Sequence, residues 1–96
     1  MSAPVRFRFC LFVADDSPNG AQATANLAAI CAEYLPGRHT IEIVDVFKVP
    51  ARALEANVFM TPTLILLSPA PVRRIVGTLS QTEVVLRALG ITKQAA

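Results

Sequence analysis

Apolar positions alternate with arginines near the start of the chain and then become continuous. Over residues 5–14, Arg6 and Arg8 are interleaved with phenylalanines, and both faces are apolar from Cys10 onward. A strand covered on both sides has this pattern, as in a parallel sheet flanked by helices. The sequence therefore predicts a buried first strand here.

A turn and a long helix follow this strand. Residues 15–20 are turn formers, and Ser17 before Pro18 suits an N-cap followed by the first helical position. The helix is predicted to run to about Leu35, where Pro36-Gly37 ends it. Its buried stripe is predicted to contain Thr24, Leu27, Ala28, Cys31, Tyr34 and Leu35.

The middle of the chain predicts a strand, a short helix and a hairpin. A β-rich segment covers residues 39–47, and a short helix is predicted over 50–57. Pro62 stands at the start of the apolar run within 59–68, where a proline costs no ladder hydrogen bond. A further short strand over 72–77 follows closely, so the two strands are predicted to pair as an antiparallel hairpin.

The last predicted element is a helix over residues 80–90. Ser80 and Glu83 have the spacing of a capping box, and Gly90 suits a C-cap. The buried stripe of this helix is predicted to contain Val84, Val85, Ala88 and Leu89.

The order of elements is β-α-β-α-β-β-α. The first crossover must join parallel strands with right-handed geometry, and the final helix is expected to cover one face of the sheet. This is the minimal thioredoxin-like α/β architecture. At 96 residues, the chain is expected to form a single domain over 1–96.

Composition limits the classes of function. Apolar residues make up 53% and charged residues 17%, which argues against disorder. So little charged surface favours self-association or a partner protein. The net charge of +2 comes from scattered basic residues, so no nucleic-acid groove is expected.

Neither a membrane span nor a targeting segment is predicted. No apolar stretch reaches the roughly 20 residues that a span requires, and the first residues lack the unbroken apolar core of a signal peptide. We therefore expect no membrane partner and a cytoplasmic protein.

The sequence offers little catalytic chemistry. A thioredoxin-like redox site needs a low-pKa thiolate at the start of the first helix, where this chain has Ser17 and Pro18. Cys10 and Cys31 form no C-x-x-C motif and are expected to be buried, reduced thiols. A lone His39 predicts no metal site, and no glycine-rich loop predicts a nucleotide site. We expect neither a cofactor nor an enzyme.

Two adjacent arginines, Arg73 and Arg74, fall on the last predicted strand and must point to opposite faces of the sheet. Charges on an edge strand block aggregation. They can equally contact an acidic partner surface. The sequence leaves both explanations open.

Four ordered segments, "LFVADDSPNG", "IVDVFKVP", "MTPTL" and "PAPVRRIVGTLS", resemble segments of the KaiB family of circadian clock proteins. The resemblance covers the chain from about Arg6 to Leu89. It implies a thioredoxin-like binding protein that docks on the ring-shaped ATPase KaiC and alters its phosphorylation cycle. Carried over by position, the candidate contacts are Lys48, Arg52, Asn57, Arg73 and Arg74.

The resemblance also implies an alternative fold, often tetrameric, in which the second half of the chain refolds. Here Ala88 lies within the last predicted helix, and alanine favours a helix over glycine by roughly 1 kcal/mol. Fold switchers differ by only a few kcal/mol between states. We therefore predict that the thioredoxin-like form dominates.

Two further functions remain as alternatives. One is a redox-linked thioredoxin-like protein that uses Cys10 or Cys31. The other is a dimeric adaptor for a histidine kinase or another stress-signalling partner. Neither has a motif of its own in the sequence.

Overall fold

The computed structural model describes residues 5–91. Its elements follow the predicted order β-α-β-α-β-β-α, and their bounds are β1 (Phe7–Val13), α1 (Pro18–Tyr34), β2 (His39–Asp45), α2 (Pro50–Glu55), β3 (Thr63–Ser68), β4 (Arg73–Val76) and α3 (Thr82–Leu89).

The strands form one sheet in the order β2-β1-β3-β4. Strands β1 and β2 are parallel, with Phe7 opposite His39 and Val13 opposite Asp45. Strand β3 pairs antiparallel with β1, and β4 pairs antiparallel with β3. The predicted parallel crossover and hairpin are both confirmed.

Two apolar cores lie on opposite faces of the sheet. The larger one joins α1 and α3 to alternate residues of the strands, among them Phe9, Leu11 and Leu64. The smaller one lies beneath α2 and contains Cys10, Phe12, Val44, Ala53, Val58 and Ile65. Burial on both faces explains why β1 is apolar throughout its second half.

The junction between β1 and α1 is closely packed. Ser17 is the N-cap, its Oγ accepts a hydrogen bond from the Gly20 backbone N–H at 3.1 Å, and Pro18 follows it, as predicted. A Cβ at Gly20 would lie 2.9 Å from that Oγ and 3.1 Å from Cβ of Val13. The helix can therefore approach the strand this closely only with glycine at this position.

The capping box predicted for α3 is wrong. The helix begins at Thr82, its N-cap is Gln81, and no side chain caps it. Ser80 thus lies one residue outside the N-cap, so the spacing from Ser80 to Glu83 no longer joins the N-cap to N3. Glu83 still lies in the first turn, where its charge suits the helix dipole.

Both predicted helix stripes need correction. In α1, Ala28 is exposed, whereas Ala23 and Ile30 are buried. In α3, Val84 and Ala88 are exposed, and the buried residues are Val85, Leu86 and Leu89. Runs of small and apolar residues allow several stripes, and the angle at which each helix meets the sheet selects one.

Pro62 precedes β3, and the Thr61–Pro62 peptide bond is cis. Gly90 ends α3 in the left-handed conformation, as predicted. Within residues 5–91, no helix combines the length and apolar character needed to cross a membrane.

Candidate partner-binding surface

The two thiols are placed where they cannot act together. Cys10 lies in the core under α2, and Cys31 lies in the core on the opposite face of the sheet. Burial raises the pKa of Cys10 and raises the pKa of Cys31 to about 11. A reactive cysteine requires a lowered pKa and access to solvent, so this arrangement does not favour redox chemistry.

The helix α2 is short, and its two ends are fixed by backbone geometry. Pro50 occupies the first turn, where its missing N–H costs nothing. At the other end, Asn57 N–H donates to the Leu54 carbonyl at 3.2 Å, and Val58 N–H donates to the Ala53 carbonyl at 2.9 Å. These are the two bonds of a Schellman motif. Asn57 supplies the left-handed residue, at φ 56°.

Exposed apolar side chains are concentrated around α2. We call this the α2 surface, defined by Phe47, Val49, Leu54, Phe59 and Met60, which are between 46% and 83% exposed. Ala53 and Val58 face the core, whereas Leu54 of α2 and the apolar residues before and after the helix are exposed. Concentrations of exposed apolar residues mark interaction sites on soluble proteins.

Charged groups border the α2 surface. The Arg52 guanidinium donates two hydrogen bonds to the Glu42 carboxylate, at 2.8 and 2.9 Å. This pair lowers the pKa of Glu42 and raises the pKa of Arg52. Lys48 is exposed in the loop before α2. Of the predicted contacts in this region, Lys48 lies near the Asp45 carboxylate and helps to lower the pKa of that group, whereas Arg52 is held by Glu42.

The remaining predicted contacts have internal partners. Arg74 donates hydrogen bonds to the carbonyls of Ala56 and Asn57, at the end of α2. Arg73 donates to the Ala88 carbonyl, at the end of α3, with a distance of 3.3 Å. Both arginines lie on the edge strand β4 and face opposite sides of the sheet, as the sequence predicted. A role in partner contact stays a prediction for each of them.

Sequence reasoning missed several of these features. The strand was expected to start at Pro62 and β3 does begin at Thr63, but the exposure of Phe59 and Met60 just before it was not predicted. The Glu42–Arg52 pair joins two elements and has no sequence signal.

Among solved structures, the fold matches thioredoxin-like proteins. Chloroplastic thioredoxin z has a TM-score of 0.74 at 18% identity, with 90% of this chain and 78% of that chain covered. The N-terminal domain of SasA from Synechococcus elongatus has a TM-score of 0.72 at 15% identity, with 100% of this chain and 94% of that chain covered. These likenesses establish the thioredoxin-like fold.

Sequence comparison identifies a narrower group. The KaiB domain model matches residues 10–91. The circadian clock protein KaiB3 of Synechocystis is 42% identical over 84 residues, covering 88% of this chain and 82% of the relative. The circadian clock oscillator protein KaiB of Thermosynechococcus vestitus is 38% identical over 91 residues, covering 93% and 84%. This chain therefore belongs to the KaiB family.

Proposed function

We propose that this chain is a non-catalytic regulatory domain that binds a KaiC-like ring ATPase through the α2 surface. Binding would alter the phosphorylation or ATPase cycle of that partner in the cytoplasm, as part of a circadian or stress-related signalling pathway. The observation that carries the proposal is the concentration of exposed apolar side chains around α2 in a member of the KaiB family.

The apolar residues of the α2 surface support a binding role. Phe59 is 83% exposed and Phe47 is 73% exposed. Burying such side chains against a partner gains about 25 cal/mol for each Å² removed from water. Aromatic residues in the centre of an interface also tend to dominate its energy.

The rigid ends of α2 support the same role. The Schellman motif and the two hydrogen bonds from Arg74 hold the C-terminal end of the helix in one conformation. Leu54 and Phe59 lie on either side of that end. A surface that is ordered before binding loses less conformational entropy on association.

The test is co-elution of the full chain with the KaiC-like ATPase of the same genome, in ATP and in ADP. We expect a nucleotide-dependent shift to a ring-sized complex. Phe59→Asp should weaken binding by at least about tenfold, equivalent to about 1.4 kcal/mol. Its matched control is Val84→Asp, because Val84 is 50% exposed on α3, away from the α2 surface.

Three outcomes separate the possibilities. Loss of binding in Phe59→Asp with retention in Val84→Asp supports the proposal. Equal loss of binding in both variants, with unchanged circular dichroism, would show that the interface is not specific to the α2 surface. No complex with either nucleotide would remove the KaiC-like partner and leave the adaptor for a histidine kinase, or a redox role, to be tested.

A further inference from the structure

The sulfur atoms of this chain lie in different environments. The sequence contains two methionines and two cysteines. Of those within residues 5–91, Cys10 and Cys31 are 2% and 0% exposed, whereas Met60 is 62% exposed. The oxidation of sulfur-containing side chains by a dissolved oxidant depends on their exposure. Within the described residues, Met60 therefore carries the one sulfur atom that an oxidant can reach in the folded protein.

The two thiols do not compete with Met60 for an oxidant. A peroxide attacks the thiolate form of a cysteine, and burial raises the pKa of both Cys10 and Cys31. Each of them also belongs to one of the two apolar cores. The thioether of Met60 has no proton to lose, so its oxidation needs no ionisation. We therefore expect Met60 to react before either thiol.

The backbone on both sides of Met60 is held by buried neighbours. The Thr63 hydroxyl donates a hydrogen bond to the Met60 carbonyl, and Thr63 is buried at the start of β3. On the other side, Val58 is buried, and its N–H donates to the Ala53 carbonyl at 2.9 Å. The segment between Val58 and Thr63 thus presents the Met60 side chain at a fixed place. A chemical change at its sulfur requires no rearrangement of the core.

Met60 is the one member of the α2 surface whose polarity can be changed by an oxidant. The other members are two phenylalanines, a valine and a leucine, and their side chains contain only carbon and hydrogen. A sulfoxide makes the methionine side chain polar and adds a hydrogen-bond acceptor. Burying such a group against an apolar partner, with no donor opposite it, costs free energy. Oxidation of this single atom therefore opposes binding through the α2 surface.

We propose that Met60 is a site of reversible oxidation by hydrogen peroxide, and that its sulfoxide switches off partner binding through the α2 surface. In the forward step the sulfur gives an electron pair to one peroxide oxygen, an S–O bond forms and the O–O bond breaks. The second oxygen takes the proton of the first and leaves as water. In the reverse step a methionine sulfoxide reductase takes two electrons from a dithiol, which becomes a disulfide, and the sulfoxide oxygen leaves as water.

The first test uses the free full-length chain, because the switch rests on the proposed function of the α2 surface and the site of oxidation does not. After brief treatment with hydrogen peroxide, peptide mass analysis should show one added oxygen atom on Met60 and none on Cys10 or Cys31. Circular dichroism should be unchanged, since the Met60 sulfur lies outside both cores. Elution from a hydrophobic-interaction column should become earlier, since the α2 surface becomes less apolar.

Two variants are the matched controls. Met60→Leu keeps Met1 and both cysteines and lacks only the Met60 sulfur, so every effect of peroxide that depends on Met60 should disappear. The second control combines Met60→Leu with Val84→Met. It moves the methionine to a position on α3 that is 50% exposed and lies away from the α2 surface. Peroxide should oxidise the new methionine without changing the affinity of this variant for a partner.

The second test measures binding to the KaiC-like ATPase of the same genome. The chain is oxidised alone and separated from peroxide before mixing, so that the ATPase itself is not oxidised. The oxidised chain should bind at least about tenfold more weakly than the untreated chain. Treatment with methionine sulfoxide reductases and a dithiol should restore the affinity. Met60→Gln, which makes the side chain polar, should weaken binding without any peroxide.

Failure of the switch and failure of the proposed function give different results. If the untreated chain forms no complex, the proposed function fails and the switch fails with it, while peptide mapping still decides whether Met60 is the oxidation site. A complex whose affinity is unchanged by oxidation of Met60 overturns the switch alone. So does an equal loss of affinity in wild type and Met60→Leu after peroxide. Oxidation of Cys10 or Cys31 before Met60 overturns the assignment of the site.

Discussion

Arg73 and Arg74 are neighbours on β4, yet they bind the C-terminal carbonyls of two helices on opposite faces of the sheet. Arg73 reaches Ala88 at the end of α3, and Arg74 reaches Ala56 and Asn57 at the end of α2. The alternation of side chains along a strand makes this possible. Cationic side chains also suit the negative end of the helix dipole. The pair therefore holds both helices to one edge strand.

This relationship predicts the stability of arginine variants. Arg73→Ala and Arg74→Ala should each lower the free energy of unfolding by about 1 kcal/mol, because each leaves terminal carbonyls without a charged donor. The two losses should add in the double variant, since the arginines act on opposite faces. Urea unfolding measures all three values. Arg8→Ala, an exposed change on β1, is the control, and strong non-additivity would contradict independent action.

Substitutions at Asn57 can distinguish a structural role of this residue from a role in binding. Its φ of 56° lies in the left-handed region, which alanine tolerates poorly and glycine tolerates well. Asn57→Ala should lower the free energy of unfolding by about 1 kcal/mol, and Asn57→Gly should change it by only a few tenths. Equal stability of both variants would show that the backbone at this position is not constrained.

The same two variants address partner contact at Asn57. Both remove the side-chain amide, so a direct contact with the ATPase would weaken binding in both. Weakening in Asn57→Ala alone would instead follow from distortion of the end of α2. Titration of each variant against the ATPase, beside its unfolding curve, distinguishes the two.

The Glu42–Arg52 pair predicts a pH dependence of stability. Arg52 lowers the pKa of Glu42 in the folded state below its ordinary value of 4.5. The contribution of the pair is therefore complete above that value and is lost as the pH falls through the lower folded-state pKa. Urea unfolding of the wild type and Glu42→Gln should show a difference that shrinks in acid. The control is Glu33→Gln, in the exposed part of α1, and a difference independent of pH would contradict the prediction.

Both thiols should be unreactive in the folded protein. Burial raises the pKa of each, and the two sit on opposite sides of the sheet. A disulfide reagent should label Cys10 and Cys31 only as fast as the protein unfolds. Labelling of either thiol at the rate of a free cysteine in native buffer would reopen the redox alternative.

The thioredoxin-like form should dominate in solution. Ala88 lies in the last turn of α3, and the end of that helix is closed by Gly90 and bound by Arg73. Backbone chemical shifts of residues 82–89 should therefore indicate a helix. Ala88→Gly should reduce the population of this form, at a cost of roughly 1 kcal/mol. Strand-like shifts in the wild type would contradict the prediction.

The local sequence pattern was sufficient to predict the helices and strands and several of the residues at which they begin or end. Ser17 and Pro18 start α1, and Gly90 ends α3, because caps depend on residues that are adjacent in the chain. The start of α3 was misplaced because a Ser-x-x-Glu spacing also occurs outside a helix. The buried stripes of α1 and α3 were only partly correct, since alanine and valine suit either side of a helix.

The sequence by itself determined the order of elements, the doubly buried β1, and the resemblance to the KaiB family, because these depend on residue type and on spacing along the chain. Only the tertiary structure decided which groups the arginines predicted to contact a partner bind within the chain. Arg52 meets Glu42, and Arg74 meets the end of α2, across separations of 10 and 18 residues. Such pairs arise when the sheet brings distant segments together, and no local periodicity encodes them.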